Sequence, residues 1–313
     1  MNVMILMATY NGEQFLKEQI ESIRKQSFKD WTLLIRDDGS TDQTRHIIAE
    51  YEKRDSRIRL LNPEHSENLG VIKSFFTLLK AETAEYYFFS DQDDVWLEDK
   101  LAKQLEMANT YPQDKPLLVY TDLKVVDQGL TVMHESMIRT QSHHANTNLR
   151  QELTENTVTG GTMMINHALA DLWTDAEDLL MHDWYLALLA SAFGHLVYLD
   201  CPTELYRQHA SNVLGARTWR KRMKNWLRPS LLFQKYWTLI KDSQRQAKKL
   251  LALPLKAQDR SMVEAFVHIM DQPLMERIKT LKAFNLGKNR TFHTFVFRSL
   301  IITKFAYRRD ESQ

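Results

Sequence analysis

The sequence predicts an α/β protein, a mostly parallel sheet with helices on both faces, followed by a basic α-helical region. Three observations predict it. Apolar runs alternate with segments of helical spacing through the first third of the chain. Polar residues follow several of these runs at the point where a strand would end. The charge then reverses: residues 1–216 hold 19 Lys and Arg against 33 Asp and Glu, and residues 217–309 hold 22 against 5. The chain therefore divides into residues 1–216 and a basic helical region, 217–313, with different surroundings.

Each element has its own signal. "VMILMATY" is a continuous apolar run, as expected of a strand buried on both faces, and "NGEQFLKEQIESIRKQ" behind it repeats Leu16, Ile20 and Ile23 at helical spacing. "WTLLIRDD" precedes a helix opened by Ser40, Thr41 or Asp42 and carrying Ile47, Ile48 and Tyr51. "IRLLN" precedes "LGVIKSFFTLLKA", and "EYYFFSD" precedes "WLEDKLAKQLEMA". "LLVYTDLKVV" is a further strand. From His134 to Glu155 the periodicity is lost, which predicts a mobile loop over the site.

Composition narrows the class. At 313 residues and 43% hydrophobic, the chain supports a large packed core. The single cysteine, Cys201, forms no intrachain disulfide, fits a reducing compartment and reads as a buried structural residue. The N-terminal run lacks a basic leader and reads as a strand, not a signal peptide. No run reaches the ~18 apolar residues of a membrane span, and the reducing compartment that fits the lone cysteine makes the cytoplasm the expected location.

Ligands of open α/β sheets bind beyond the carboxyl ends of the strands. Thr9, Tyr10 and Asn11, then Asp37 and Asp38, Asn62, Asp91 and Asp93, and Asp122 all fall on that rim. Asp91, Asp93 and Asp94 stand close together, with no Lys or Arg between residues 81 and 97. Like charges so placed repel unless neutralised, and clustered carboxylate oxygens suit a hard divalent cation, Mg²⁺ or Mn²⁺. Such sites use one or two protein carboxylates and complete their shell with water and phosphate oxygens, so a nucleotide diphosphate is the expected ligand. Two plainer readings stand beside this: Asp91 and Asp94 as caps of the following helix, and Asp38-Gly39-Ser40 as a turn.

In combination, "ATYNGEQFL", "RDDGSTDQT", "NLG" and "SDQDDVW" resemble the inverting glycosyltransferases of family two, with their GT-A nucleotide-sugar fold. "TGGTMMIN", "MHDWYLAL" and "YRQHASNVLGA" resemble the bacterial rhamnosyltransferase branch that builds rhamnose-containing cell-wall polysaccharides. The resemblance covers residues 1–216. It implies that Thr9, Tyr10 and Asn11 line the nucleotide pocket, with Asp38 at the base or ribose and Asp37 beside it. It implies that Asp91 holds the ribose or the metal shell, that Asp93 ligates the metal, and that His209 is a late metal ligand with Arg207 at the diphosphate. Asp183 is implied as the catalytic base. The family commonly carries an acidic pair at that helix start, and His182-Asp183 departs from it. Asp183 also suits the helix dipole simply as an acidic residue in the first turn. The implied donor is dTDP-L-rhamnose and the implied acceptor a lipid-linked glycan.

Two other classes compete. "DQDDV" also fits the signature of haloacid-dehalogenase-type phosphatases, although there it usually follows the first core strand and here three βα units precede it. A non-catalytic sugar-binding protein that keeps the fold is the other.

In the basic region, Trp219, Met223, Trp226 and Leu227 share a helical face surrounded by Arg220, Lys221, Arg222 and Lys224, the pattern of an interfacial helix on an anionic membrane surface. "RTFHTFVFRSLIITKFAYRR" contains Arg298 and Lys304, so it should lie on a membrane or pack in a bundle and not span. Helix packing or homo-oligomerisation is the alternative for each segment. Nucleic acid is not expected, because no recognition motif accompanies the charge.

Overall fold

The computed structural model describes residues 1–64, 67–209 and 229–307. The basic segment 217–228 and the expected boundary at 216–217 lie outside the described residues.

The apolar runs form the expected strands: β1 (Val3–Thr9), β2 (Trp31–Asp37), β3 (Ile58–Leu60) and β4 (Tyr86–Ser90). These four pair in parallel in the order β3-β2-β1-β4. Their registers set Thr9 beside Asp37 and Met7 beside Ser90, which brings the carboxyl ends of three strands onto one rim. The remaining strands are β5 (Val95–Trp96), β6 (Leu117–Val126), β7 (Val132–His134), β8 (Met163–Asn166) and β9 (His195–Arg207). They extend the sheet as β4-β8-β6-β9-β5, with β7 on β6. In this half β6 and β9 are parallel, while β8, β5 and β7 run antiparallel to their neighbours.

Strand alternation divides the core between two faces. Val3, Ile5 and Met7 pack with Leu16 and Ile20 of α1 (Leu16–Arg24), Ile47 and Ile48 of α2 (Thr44–Arg54), and Leu101 and Leu105 of α4 (Lys100–Ala108). Met4 and Leu6 face the other way, towards Phe75 and Leu78 of α3 (Val71–Ala81) and Leu186 and Ala190 of α7 (His182–Phe193). The segment expected as a mobile loop carries short elements of its own, a π-helical turn (Ile138–Ser142) and α5 (Leu149–Glu152). Asp122 organises the first of these, accepting from the Met137 and Ile138 amides at 3.0 and 3.1 Å and from the Ser136 hydroxyl. It stands within β6 and is used as a turn anchor, so the rim placement expected for it does not hold. A short helix, α6 (His167–Leu172), follows β8.

The C-terminal helices are α8 (Pro229–Lys248), α9 (Ala257–Val267), α10 (Leu274–Ala283) and α11 (Thr291–Thr303). Trp237, Ile240, Phe266, Leu281, Phe297 and Leu300 belong to the same buried cluster as Leu186 and Ala190. The Leu180 amide donates to Gln246 Oε1 at 2.9 Å, which ties α8 to the entry of α7. Among the described residues no helix is long and apolar enough to cross a membrane. Cys201, expected to be buried, is partly buried.

Candidate active site

The rim is built from loops that hold one another. Asn11 takes a left-handed backbone (φ 47°), which lets its amide donate to Ser40 Oγ at 2.9 Å while its side-chain oxygen accepts the Thr41 amide at 2.8 Å. Gln92 clips the same loop from the other side, accepting the Tyr10 amide at 2.8 Å and donating to the Tyr10 carbonyl at 2.9 Å. A Cβ on Gly12 would stand 2.3 Å from Gln92 Oε1, so this clip requires the glycine. Tyr10 itself is exposed at the mouth.

Asp37 and Asp38 are both buried. Asp37 accepts from Thr9 Oγ1 at 3.1 Å, from the Ser40 amide and hydroxyl at 3.0 and 2.6 Å, and pairs with Arg45 at 3.3 Å. Asp38 accepts the Leu69 and Gly70 amides at 2.7 and 2.9 Å and pairs with Arg36 at 2.5 Å. Gly70 has a positive φ of 79°, the conformation that turns its amide to Asp38 at the start of α3. Both aspartates therefore shape the rim through internal bonds.

Beyond β4, Asp93 Oδ2 lies 2.6 Å from His209 Nε2, and the His209 ring packs on Phe15 at 5.0 Å. Arg207, expected at a diphosphate, is buried instead. It donates to the Asp93 carbonyl at 2.9 Å and to the Gln128 carbonyl, pairs with Glu18, and lies 4.5 Å over Phe15. Its amide donates to Asp94 Oδ1 at 3.0 Å. Arg207 is thus a strut for the acidic loop.

Beneath that loop is a charge cluster that sequence reading missed. Lys100 and Glu204 are fully buried and paired at 2.8 Å, and Lys100 Nζ also donates to the Gly161 carbonyl at 2.5 Å and sits 4.5 Å over Trp96. Burial lowers the Lys100 pKa, opposed by the Glu204 charge. Asp94 is buried beside it, its carboxyl held well above the ordinary range by burial and by Glu204. Asp91 is pushed up to about 8 by burial and by the carboxylates of Asp93, Glu204 and Asp183, with Lys100 opposing. Each of these residues is ordinary in sequence: Lys100 opens a helix and Glu204 lies in a strand. Only the fold superimposes them.

Asp183 stands in the first turn of α7 and is buried. Its Oδ1 accepts the Trp184 amide at 2.5 Å and the Asn156 side-chain amide at 3.3 Å. Burial pushes its carboxyl up to about 7, against hydrogen bonds from Trp184, Gly160 and Asn156 that favour the anion. Its neighbour His182 is used as an aromatic: burial drives its pKa to about 3, and its ring packs 4.5 Å from Phe75 and 5.5 Å from Phe89. Behind Asp183 lies Glu152, fully buried and held well above the usual carboxyl range by burial.

Among the described residues no three His, Cys, Asp or Glu side chains converge as a metal centre. Asp93 and His209, 2.6 Å apart, do fit a divalent cation that takes one or two protein ligands and completes its shell from a nucleotide, with Asp91 two residues away in the same loop.

Residues 4–173 match the family described as Glycosyl transferase family 2, and the chain belongs to that family. This removes the phosphatase reading of "DQDDV". A Shigella flexneri dTDP-rhamnosyl transferase, RfbG, is 32% identical over 220 residues, 67% of this chain and 74% of its own. An Escherichia coli glucosyltransferase, WfgD, named for UDP-Glc and α-D-GlcNAc-diphosphoundecaprenol, is 37% identical over 105 residues, 34% of this chain and 40% of its own. The Staphylococcus aureus TarS fragment 1–349, solved with UDP-GlcNAc, shares the fold with a TM-score of 0.60 at 18% identity, covering 99% of this chain and 94% of that one.

Proposed function

We propose that the protein is an inverting rhamnosyltransferase, moving L-rhamnose from dTDP-L-rhamnose to a lipid-linked cell-wall or capsular glycan at the cytoplasmic face of the membrane. The observation that carries the reaction type is Asp183: a buried carboxyl in the first turn of α7, held by the Asn156 side chain and raised by burial to about 7. The donor rests on the likeness to the Shigella dTDP-rhamnosyl transferase, and the lipid-linked acceptor on the diphosphoundecaprenol named for the Escherichia coli relative.

In this reading the nucleotide lies against Thr9, Tyr10, Asn11 and the Asp37-Asp38 turn. Asp93, Asp91 and His209 would hold Mg²⁺ or Mn²⁺, which when bound neutralises the leaving diphosphate. Arg207 positions Asp93 from behind. Asp183 accepts the proton of the acceptor hydroxyl as that oxygen bonds to the anomeric carbon. The bond to the diphosphate breaks on the opposite face and its electron pair leaves with the nucleotide. A base near pKa 7 suits this at neutral pH, since it is substantially ionised yet basic enough to take a proton.

A donor panel decides it. Incubation with dTDP-rhamnose, UDP-glucose, UDP-GlcNAc and GDP-mannose, with Mn²⁺ and lipid-linked acceptor, should release nucleotide and extend the acceptor with dTDP-rhamnose at least tenfold faster than with the others. Preference for a UDP-sugar would refute the donor; nucleotide release with no extension would refute transfer.

A further inference from the structure

We propose that the outer face of α11 seats on an anionic lipid bilayer and sets the acceptor side of the cleft against it; this rests on the lipid-linked acceptor proposed above. The helix has two apolar faces. Phe297, Leu300 and Ile301 are buried in the core, whereas Phe292 and Phe295 are 64% and 69% exposed. Phe292, Phe295, Ser299 and Ile302 follow at intervals of three, four and three residues, which aligns them as one stripe along the outer surface. A groove of about 440 Å³ runs beside the stripe, lined by Lys288, Asn289, Thr294, Phe295, Arg298 and Ile302.

Charge selects the occupant. Residues 277–309 hold nine Lys and Arg and no Asp or Glu; Arg277 is buried and Lys288 turns inward to Thr154, while Arg290, Arg298 and Lys304 stand in or beside α11. A second copy would press the same basic helix face against itself across a two-fold interface, with cations meeting cations. A bilayer with anionic headgroups accepts both properties together, the phenylalanines entering the acyl boundary while the basic side chains remain at headgroup level.

The stripe is coupled to the cleft. The loop before α11 grips the segment behind Asp183: Thr154 Oγ1 donates to the Gly287 carbonyl at 2.6 Å, the Asn289 amide donates to Glu155 Oε2 at 2.7 Å, and Lys288 Nζ donates to the Thr154 carbonyl. The next residue, Asn156, holds Asp183. These bonds tie the helix that carries the stripe to the segment that positions Asp183.

The test uses the full chain and its Phe292→Ser/Phe295→Ser variant with vesicles of phosphatidylcholine alone or with phosphatidylglycerol. Both side chains lie in solvent, so the melting curve should not change. The wild type should sediment with the anionic vesicles and release in high salt, and the variant should lose about tenfold in partitioning. The variant should also extend a vesicle-borne acceptor more slowly, while donor turnover with a water-soluble acceptor stays at the wild-type rate. Equal sedimentation of variant and wild type overturns the proposal. So does a wild type that ignores vesicle charge, or a variant that only converts a dimer to a monomer in analytical ultracentrifugation. Loss of all turnover with dTDP-rhamnose in solution would instead strike the proposed function and leave the vesicle result standing.

Discussion

Asp183→Asn separates a catalytic base from a helix-terminal carboxylate, because the two roles predict opposite signs in stability. The substitution keeps the side chain's shape and removes its basicity. As a base, Asp183 contributes about 10²–10⁴-fold to turnover, so the variant should lose that much with nucleotide affinity unchanged. The structure adds a second consequence. Burial raises the carboxyl from its ordinary 3.8 to about 7 in the folded chain. A folded pKa above the unfolded one means that the stability it contributes is complete below about pH 4 and is lost as pH rises to about 7. A displacement of that size corresponds to about 4 kcal/mol as an upper bound. Asparagine does not titrate, so the variant's stability relative to wild type should improve steadily between pH 4 and 7 and level off above. Part of the gain is offset, since the amide must sit among the donors that now serve the anion, Trp184 N–H and the Asn156 amide. Paired denaturant melts at pH 4.5 and 8, with single-turnover kinetics, read both effects. A variant that turns over near the wild-type rate, or whose relative stability falls as the pH rises, would refute the reasoning and return Asp183 to a helix-end role.

Three further outcomes follow from the acidic loop and its supports. Because Asp91 is held near about 8, binding of Mn²⁺ with dTDP at pH 7 should release a proton, seen in calorimetry as a heat that varies with the ionisation enthalpy of the buffer; Asp93→Ala should abolish both this signal and transfer. Lys100→Met leaves Glu204 buried without its cation and should cost about 3–5 kcal/mol in a denaturant melt, whereas the double variant Lys100→Met/Glu204→Gln should recover most of that loss. Glu152→Gln should leave kcat within about twofold and raise stability at alkaline pH, since it removes a buried acid that is already held neutral; a hundredfold loss of kcat would place Glu152 in the chemistry.

The strands and helices of the first half were legible because each is a local pattern: period-two or continuous apolar runs, then helical spacing. The rim was legible too, since parallel strands place their following residues together whatever their order. The second half was less so. The antiparallel pairing of β8 with β4 and β6 joins residues 43 to 80 apart, and no local period reports it. The same limit hid Lys100, Glu204 and Glu152, which matter through neighbours distant in sequence. The internal partners of Arg207 were hidden for a related reason: its guanidinium bonds to Glu18, Gln128 and Asp93, all distant in sequence. Asp122 was read as a strand end because its turn partners, Ser136 to Ile138, lie across a hairpin.

The charge reversal suggested a basic tail attached to an acidic catalytic part, from which removal of everything after residue 216 would be a clean test of membrane binding. The packing argues otherwise. Trp237, Ile240, Leu250, Phe266, Leu281, Phe297 and Leu300 lie in the cluster that also buries Trp184 and Leu186, and α7 carries Asp183 at its start. Truncation would expose that face of α7 to water. At about 1.5–3 kcal/mol for each large apolar side chain stripped of cover, the loss exceeds the stability of a typical domain. A truncated chain would therefore lose vesicle binding and activity together through unfolding, whatever touches the membrane. Substitutions on the solvent side of α11, which leave Phe297, Leu300 and Ile301 in place, tell lipid contact apart from the support that the same helix gives to the cluster around α7.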